Sequence, residues 1–230
     1  MAPLWPVAVP PESMVLDVRA ARNQLVEQLR KAPKASDPAN LQSYVGSPVP
    51  VLGLSVPTMR AIVAAFAKDH PTLDAAAVNA LASALWSGVI FEEKSLGILL
   101  LGRYEKILDD DSWKLAARWV DTATGWGLSD GLASGPIAGM VHAKGSRFRD
   151  ILRWTRAKNI WRRRASTYAL HRFVRMANSI GRSGFWSNFC TIRNSGSNAR
   201  LVHGSGSAGR KIEVAPRPSC GSTHAACHGS

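Results

Sequence analysis

Apolar side chains recur at helical spacing along most of the chain up to residue 175, and no strand-like alternation bounded by turn residues interrupts them. Pro57 suits a helix start because its missing N–H donor is not needed there, and Asp111 with Ser112 offers a capping oxygen ahead of Trp113. The pattern predicts an all-α fold. Its nine predicted helices cover residues 12–32, 37–46, 57–69, 74–86, 91–107, 112–122, 127–142, 147–156 and 159–175.

A repeat runs through these helices. Bulky side chains stand 35 residues apart at Val56, Phe91, Trp126 and Trp161, each near the start of the second helix of a pair. Helix pairs at such a fixed period are the mark of an α-solenoid, in which each pair buries its apolar face on its neighbours. We therefore expect one domain of stacked helical repeats over residues 12–175.

Residues 176–230 differ abruptly in composition. They contain 8 Gly, 10 Ser and a single acidic residue, Glu213, with no helical apolar stripe after Phe189. A segment of this kind buries too little apolar surface to offset its ordering entropy, so we expect disorder. It is either a flexible basic tail or, as we favour, the product of a reading-frame shift that replaced the true terminal helices, because a solenoid needs a capping repeat.

Several classes of protein are excluded by simple counts. No apolar run approaches the roughly 20 residues that cross a bilayer, and the first residues lack the basic and apolar regions of a secretory signal, so we expect a cytoplasmic protein. The three cysteines form no disulfide framework and fit a reducing compartment. The spacing of Cys220, His224, Cys227 and His228 matches no zinc site, and no metal or organic cofactor is predicted.

Charge is distributed unevenly along the chain. The formal net charge is +13, yet residues 1–110 hold 10 basic and 11 acidic side chains, whereas residues 111–230 hold 19 and 5. Residues 141–175 carry eleven Lys or Arg against one acid, Asp150. A field of this sign attracts polyanions, so the second half predicts contact with nucleic acid or an acidic membrane surface.

One repeat position is charged in a single repeat, which makes that residue a candidate for a catalytic role. The residue four positions after each periodic aromatic side chain is Ser95, Asp130 or Ala165. Only Asp130 is charged. Trp126 and Asp130 lie one helical turn apart on the same face. A carboxylate beside an aromatic wall, on an otherwise basic surface, is what stabilises a cationic sugar and positions a water molecule during glycosidic bond cleavage. A core role for Trp126 and a helix-start role for Asp130 are the alternatives.

The arginines of the ninth predicted helix are arranged for phosphates. Arg162, Arg163 and Arg164 cover a wide arc, and by helical phase Arg164 falls near Arg172. The preceding predicted helix carries four further arginines, Arg147, Arg149, Arg153 and Arg156. Lys94 occupies, in an earlier repeat, the position that corresponds to Arg164. Guanidinium groups match phosphate oxygens and fix register on a duplex without reading sequence, which predicts salt-sensitive DNA binding.

Residues 44–60, 125–130 and 159–166 carry three motifs that together resemble those of the AlkD-type DNA alkylation repair glycosylases. Residues 44–60, YVGSPVPVLGLSVPTMR, are similar to the opening signature of that family, in which a tyrosine precedes an apolar-Leu-Gly turn and Pro-x-x-Arg opens a helix. Residues 125–130, GWGLSD, resemble its W-x-x-x-D catalytic segment, and residues 159–166, NIWRRRAS, its N-x-W-x-x-R-A helix. The three motifs stand in the family's order, and the resemblance covers about residues 12–175.

The resemblance implies a C-shaped stack of HEAT-like repeats that holds duplex DNA on a concave basic face and excises positively charged N3- or N7-alkylated purines. Asp130 would then stabilise the oxocarbenium-like sugar and orient the attacking water, and Trp126 would press on the deoxyribose of the lesion. Arg164 would hold a nearby phosphate, and the opening tyrosine, Tyr44, would join the DNA-binding surface. We expect the protein to act as a monomer.

The family also places a second catalytic tryptophan near residue 203, where this chain has His203. Trp186 comes too early to take that role, so one wall of the site is absent. Because the last repeats are missing too, we expect weaker DNA binding, lower stability and reduced turnover or none. The competing interpretation is a non-catalytic helical-repeat module that binds nucleic acid or a protein partner through its concave face.

Overall fold

The computed structural model describes residues 16–180, with the side chains of residues 172, 173 and 176–180 outside that description. This part of the chain is all-α, as predicted, and contains no β-strand. Its ten helices are α1 Val18–Lys31, α2 Pro38–Val45, α3 Val56–Asp69, α4 Ala75–Trp86, α5 Phe91–Arg103, α6 Asp110–Thr122, α7 Trp126–Leu132, α8 Ala138–Ala143, α9 Phe148–Trp154 and α10 Ile160–Ile180.

Two helix starts differ from the sequence prediction because other side chains cap them. Helix α1 begins at Val18, not residue 12, because the Asp17 carboxylate accepts the Ala20 amide at 2.9 Å. Helix α6 begins two residues before the predicted Ser112, because Asp109 forms a capping box with Ser112. The predicted cap by Asp111 is therefore wrong.

The predicted helix at 127–142 is interrupted. A π turn, Ala133–Ile137, separates α7 from α8, and Gly135 inside it has non-helical dihedral angles of φ −93° and ψ −112°. Pro136 is the physical cause, because proline has no N–H to donate to the carbonyl of Leu132 and its ring crowds the preceding turn. The interruption shifts the register of α8 relative to α7.

Three other predicted helices differ at their ends. Helix α5 stops at Arg103, and a separate 3₁₀ turn at Glu105–Ile107 covers the rest of the predicted 91–107. Helix α9 is shorter than the predicted 147–156 and follows a 3₁₀ turn at Gly145–Arg147. Helix α10 continues five residues past the predicted end at 175.

The helices pack in two layers around one apolar core. Helices α3, α5, α7 and α10 follow one another in one layer. In the other layer α4 adjoins both α1 and α6, and α10 also packs on α8 and α9. The core side chains between them are fully buried, among them Leu25, Leu81, Leu100, Leu132 and Phe148. The four bulky side chains that recur every 35 residues are the first residues of α3, α5 and α7 and the second of α10, which agrees with a fold built from helical repeats.

Two buried acids of α5, which sequence reasoning did not single out, tie that helix to the loop before α3 and to α1. The Glu92 carboxylate accepts the backbone amides of Leu52 and Gly53 at 2.9 Å, and that of Leu54 at 3.3 Å. The neighbouring Glu93 is also buried and pairs with Arg22 of α1 at 2.7 Å. Such satisfied charges fix α5 between the first helices and the site described below.

Within residues 16–180, no helix has the length and apolar character that crossing a membrane requires. Disorder is expected from residue 176 onward. Residues 181–230 of that segment lie outside the described part of the chain. The domain limits of 12–175 and 176–230 stay a prediction.

Candidate active site

The first two sequence motifs meet at a close approach between the end of α2 and the start of α7. Gly125 has φ +87°, and a Cβ atom there would lie 2.3 Å from the Gly46 carbonyl oxygen, so only glycine fits. The approach lets the Trp126 indole N–H donate to the Tyr44 carbonyl at 2.8 Å. The two rings meet edge to face, 5.0 Å apart at 86°. Trp126 is half-buried, whereas Tyr44 is 69% exposed.

The second and third motifs meet through an ion pair. Arg164 of α10 donates from Nε and one Nη to the two carboxylate oxygens of Asp130, both at 2.7 Å. The Asp130 side chain is 14% exposed and that of Arg164 is 37% exposed, so the pair lies at the surface and not inside the apolar core. This planar, two-point contact fixes the direction of the carboxylate. The second Nη of Arg164 bonds to no residue that the structure describes.

Tyr168 supports Arg164 from one helical turn away and was missed by sequence reasoning. The guanidinium lies over its ring, 5.1 Å from the centroid, and one Nη donates to the hydroxyl at 3.3 Å. The hydrogen bond to Asp130, chiefly, raises the pKa of the Arg164 guanidinium above its ordinary value. The four-residue spacing from Arg164 on one helix face was the available signal.

Arg162 and Arg163 lie elsewhere and are not brought to Asp130. Arg162 donates through Nε and Nη to both carboxylate oxygens of Asp121 at the end of α6, and its guanidinium covers the Trp154 ring at 5.1 Å. Arg163 donates to the carbonyls of Ala157 and Lys158 at 2.7 and 2.8 Å. Both arginines therefore already make contacts that hold the start of α10.

Lys94 is half-buried on the flank of α5. Its ammonium donates to the Trp86 carbonyl and lies 5.3 Å from the centre of the Trp86 indole. Burial lowers the Lys94 pKa, although the neighbouring Glu93 opposes the shift. The side chain of Arg172, the remaining predicted DNA contact, and residue 203 lie outside the described part of the structure.

Part of the basic surface expected around α9 is buried. Arg147 is only 6% exposed, donates to Asp110 at 2.7 Å and lies over the Trp113 ring at 5.4 Å. It is therefore a packing residue, contrary to its assignment among the phosphate-binding cations. Arg149 and Arg156 are exposed and form no ion pair with a described residue.

A groove of about 740 Å³ opens beside Trp126 and Tyr44. Helix α5 forms its floor, and α3 faces α7 and the π turn across it. Its lining is mostly apolar, and the charged residues that line it are two arginines, Arg60 and Arg103. Both are exposed, and neither forms an ion pair with a described residue.

No group of three or more His, Cys, Asp or Glu side chains within the described part of the chain is placed to hold a metal ion. The site offers an oriented carboxylate, an indole held by its N–H, and a guanidinium with one Nη to which no described residue is bonded. Such a set can stabilise positive charge on a ligand and hold an anionic group next to it.

Comparison with protein families matches residues 25–190 to the family described as DNA alkylation repair enzyme. A comparison with curated proteins returned no match. The family match spans most of the chain and includes all three motifs that the fold brings together. The chain therefore belongs to the DNA alkylation repair enzyme family.

Proposed function

We propose that this protein is a DNA glycosylase that removes positively charged N3- or N7-alkylated purines from duplex DNA. The observation that carries the proposal is the convergence of Tyr44, Trp126, Asp130 and Arg164, which come from three distant segments. A monomeric state, HEAT-like repeats and a cytoplasmic location remain predictions from the sequence and its resemblance.

Asp130 is the catalytic residue in this proposal. When the bond between C1′ and the alkylated base breaks, its electron pair neutralises the cationic base, and positive charge develops on the sugar. The Asp130 carboxylate stabilises that charge and orients a water molecule, which adds to C1′ and releases a proton. Its partial exposure of 14% is compatible with contact to a nucleotide at the surface.

Trp126 and Arg164 position the substrate. Because the Trp126 N–H is held by the Tyr44 carbonyl, the ring is fixed and can press on the deoxyribose of the lesion. Arg164 keeps Asp130 oriented through Nε and one Nη, and its other Nη can hold a backbone phosphate. Tyr168 limits the movement of that guanidinium.

The test is base release from methylated duplex DNA by the folded, full-length protein. We expect release of 7-methylguanine or 3-methyladenine and none of a neutral lesion such as uracil, because a neutral base lacks the charge that weakens its own glycosidic bond. Asp130→Asn should lower the rate of release by about 100-fold or more. Duplex affinity should stay within about twofold, because phosphate contacts dominate binding.

The opposite outcome would identify the non-catalytic alternative. Salt-dependent duplex binding that is unchanged by alkylation and by Asp130→Asn, with no base released by the folded wild-type protein, would contradict the glycosylase proposal and favour a binding module.

A further inference from the structure

The guanidinium of Arg164 has two edges that can donate, and the pair with Asp130 occupies one of them. Nε and one Nη donate to the two carboxylate oxygens of Asp130. The N–H donors of a guanidinium lie in one plane in a fixed fork, so this Nη carries a second hydrogen along the neighbouring edge, which the other Nη completes. The neighbouring edge meets no carboxylate of a described residue. An anionic group of a ligand can therefore bind there.

Tyr168 stands at this second edge. Its hydroxyl oxygen accepts at 3.3 Å from the same Nη that bonds to Asp130, so the proton of the hydroxyl is left to donate elsewhere. None of the residues that the structure describes accepts that proton. Tyr168 is 38% exposed and the Arg164 side chain 37%, so both are open to solvent. The Tyr168 hydroxyl and the second Nη of Arg164 are thus two neighbouring donors beside Asp130.

The same face of α10 continues with polar and cationic side chains. His171 and Arg175 follow Tyr168 by three and seven residues, which places them on one stripe with it, and both are exposed. Helix α10 contains no acidic residue along its whole length. A nucleic-acid strand repeats its phosphates along its length and can use the whole stripe, whereas a small anion would use one end of it. The stripe therefore fits a strand of DNA better than an isolated anion.

We propose that the Tyr168 hydroxyl and the second Nη of Arg164 together bind one backbone phosphate of the DNA. The inference rests on the proposed function, since a phosphate reaches this edge only if the duplex lies against Asp130. Two donors on neighbouring groups match two oxygens of one phosphate. Because Tyr168 holds the Nη that also bonds to Asp130, a phosphate bound here keeps the guanidinium from turning away from the carboxylate.

The experiment measures the affinity of the full-length protein for duplex DNA by fluorescence anisotropy. The duplex carries one tetrahydrofuran abasic residue, so it has no base to release at that position. In a set of such duplexes, each phosphate near the abasic residue is replaced in turn by an uncharged methylphosphonate. Tyr168→Phe keeps the ring under the Arg164 guanidinium and removes only the hydroxyl. We expect this variant to bind the unmodified duplex about tenfold more weakly, as expected for one lost hydrogen bond to a charged group.

The informative readout is the methylphosphonate position at which this loss disappears. At that position the wild-type protein should itself bind more weakly, and Tyr168→Phe should bind within about twofold of it, because both then lack the same contact. At the other positions the difference of about tenfold should remain.

Tyr104→Phe is the matched control. The Tyr104 hydroxyl donates to the His70 carbonyl at 2.6 Å, so its proton is already bonded within the protein. We expect Tyr104→Phe to bind each duplex of the set with the affinity of the wild-type protein.

Wild-type affinity of Tyr168→Phe for the unmodified duplex would overturn the inference. A loss of the same size at every methylphosphonate position, with an unchanged melting temperature, would also overturn it, since the hydroxyl would then contact no phosphate. The assay needs no catalysis, so its result is separate from that of base release. Base release without a position-specific effect leaves the glycosylase proposal standing and removes this one, and a position-specific effect without base release does the reverse.

Discussion

Two aspartates pair with arginines that stand two residues apart on α10, and the two pairs differ in their surroundings. Asp130, which pairs with Arg164, lies one helical turn from Trp126 on α7, and Arg162, which pairs with Asp121, lies over the Trp154 ring. The Asp130 side chain is 14% exposed, whereas that of Asp121 is 37% exposed.

The surroundings of the two ion pairs indicate different roles for them. Asp121 is part of a clamp in which Asn159 also donates to its backbone carbonyl at 3.2 Å and caps the start of α10. Asp130 stands one turn from an indole held edge to face against Tyr44. Identical ion-pair chemistry is therefore structural in one place and, in our proposal, catalytic in the other.

Gly125→Ala is expected to have the largest effect on the surroundings of the Asp130–Arg164 pair. The residue has φ +87°, and the added Cβ would lie 2.3 Å from the Gly46 carbonyl oxygen, so the approach of α2 to α7 must open. We expect a loss of about 2 kcal/mol or more in the free energy of unfolding, measured by urea denaturation. Base release should fall further, because Trp126 loses its position beside Asp130.

Gly102→Ala is the control for that substitution, since its Cβ meets open space within a helix. We expect it to raise the free energy of unfolding by about 0.5 to 1 kcal/mol. A Gly125→Ala protein as stable as the wild type would show that the junction does not depend on this glycine.

A smaller effect is expected when each arginine is replaced by lysine. Arg164→Lys keeps the charge and loses the two-point contact with Asp130, so the rate of base release should fall about tenfold. Arg162→Lys makes the same change at Asp121 and should leave that rate within about twofold. Both should cost about 1 kcal/mol or less in stability, because the pairs lie at the surface. Equal losses of rate in the two variants would remove the distinction between the pairs.

A third aspartate provides a reference for the pH response of acid pairs in this chain. Hydrogen bonds from Lys144 and then Arg147 lower the pKa of Asp110 from 3.8 to about 2. Because the folded-state pKa is the lower one, this pairing stabilises the fold fully above pH 3.8 and is lost as the pH falls through 2. The difference in unfolding free energy between wild type and Asp110→Asn should therefore be constant from neutral pH down to that range and then close. A difference that grows with acidification would contradict the pairing.

Helix positions followed from local pattern, because apolar spacing and capping residues act over a few positions. The Pro57 start and the periodic aromatics illustrate this, since both depend on neighbours along the chain. The break at Pro136 was also visible as a proline within a helical pattern, and the prediction of a continuous helix there was wrong.

Partners that come from other helices could not be read from the sequence in the same way. Three consecutive arginines, Arg162, Arg163 and Arg164, cannot be told apart by sequence alone. Each bonds to a different segment of the chain, and of the three only Arg164 bonds to Asp130. Glu92 likewise resembles an ordinary acid in the first turn of a helix, although it is buried and accepts three backbone amides. Such assignments require the tertiary fold, because helical phase orders residues only within one helix.

The central claim is most directly tested by the single-turnover rate of 7-methylguanine release from duplex DNA, compared between Asp130→Asn and Asp121→Asn. Each variant replaces a carboxylate that pairs with an arginine of α10 by a neutral amide of nearly the same shape. We expect a loss of about 100-fold or more for Asp130→Asn and a change within about twofold for Asp121→Asn. Similar rates in the two variants, with both proteins folded, would contradict it.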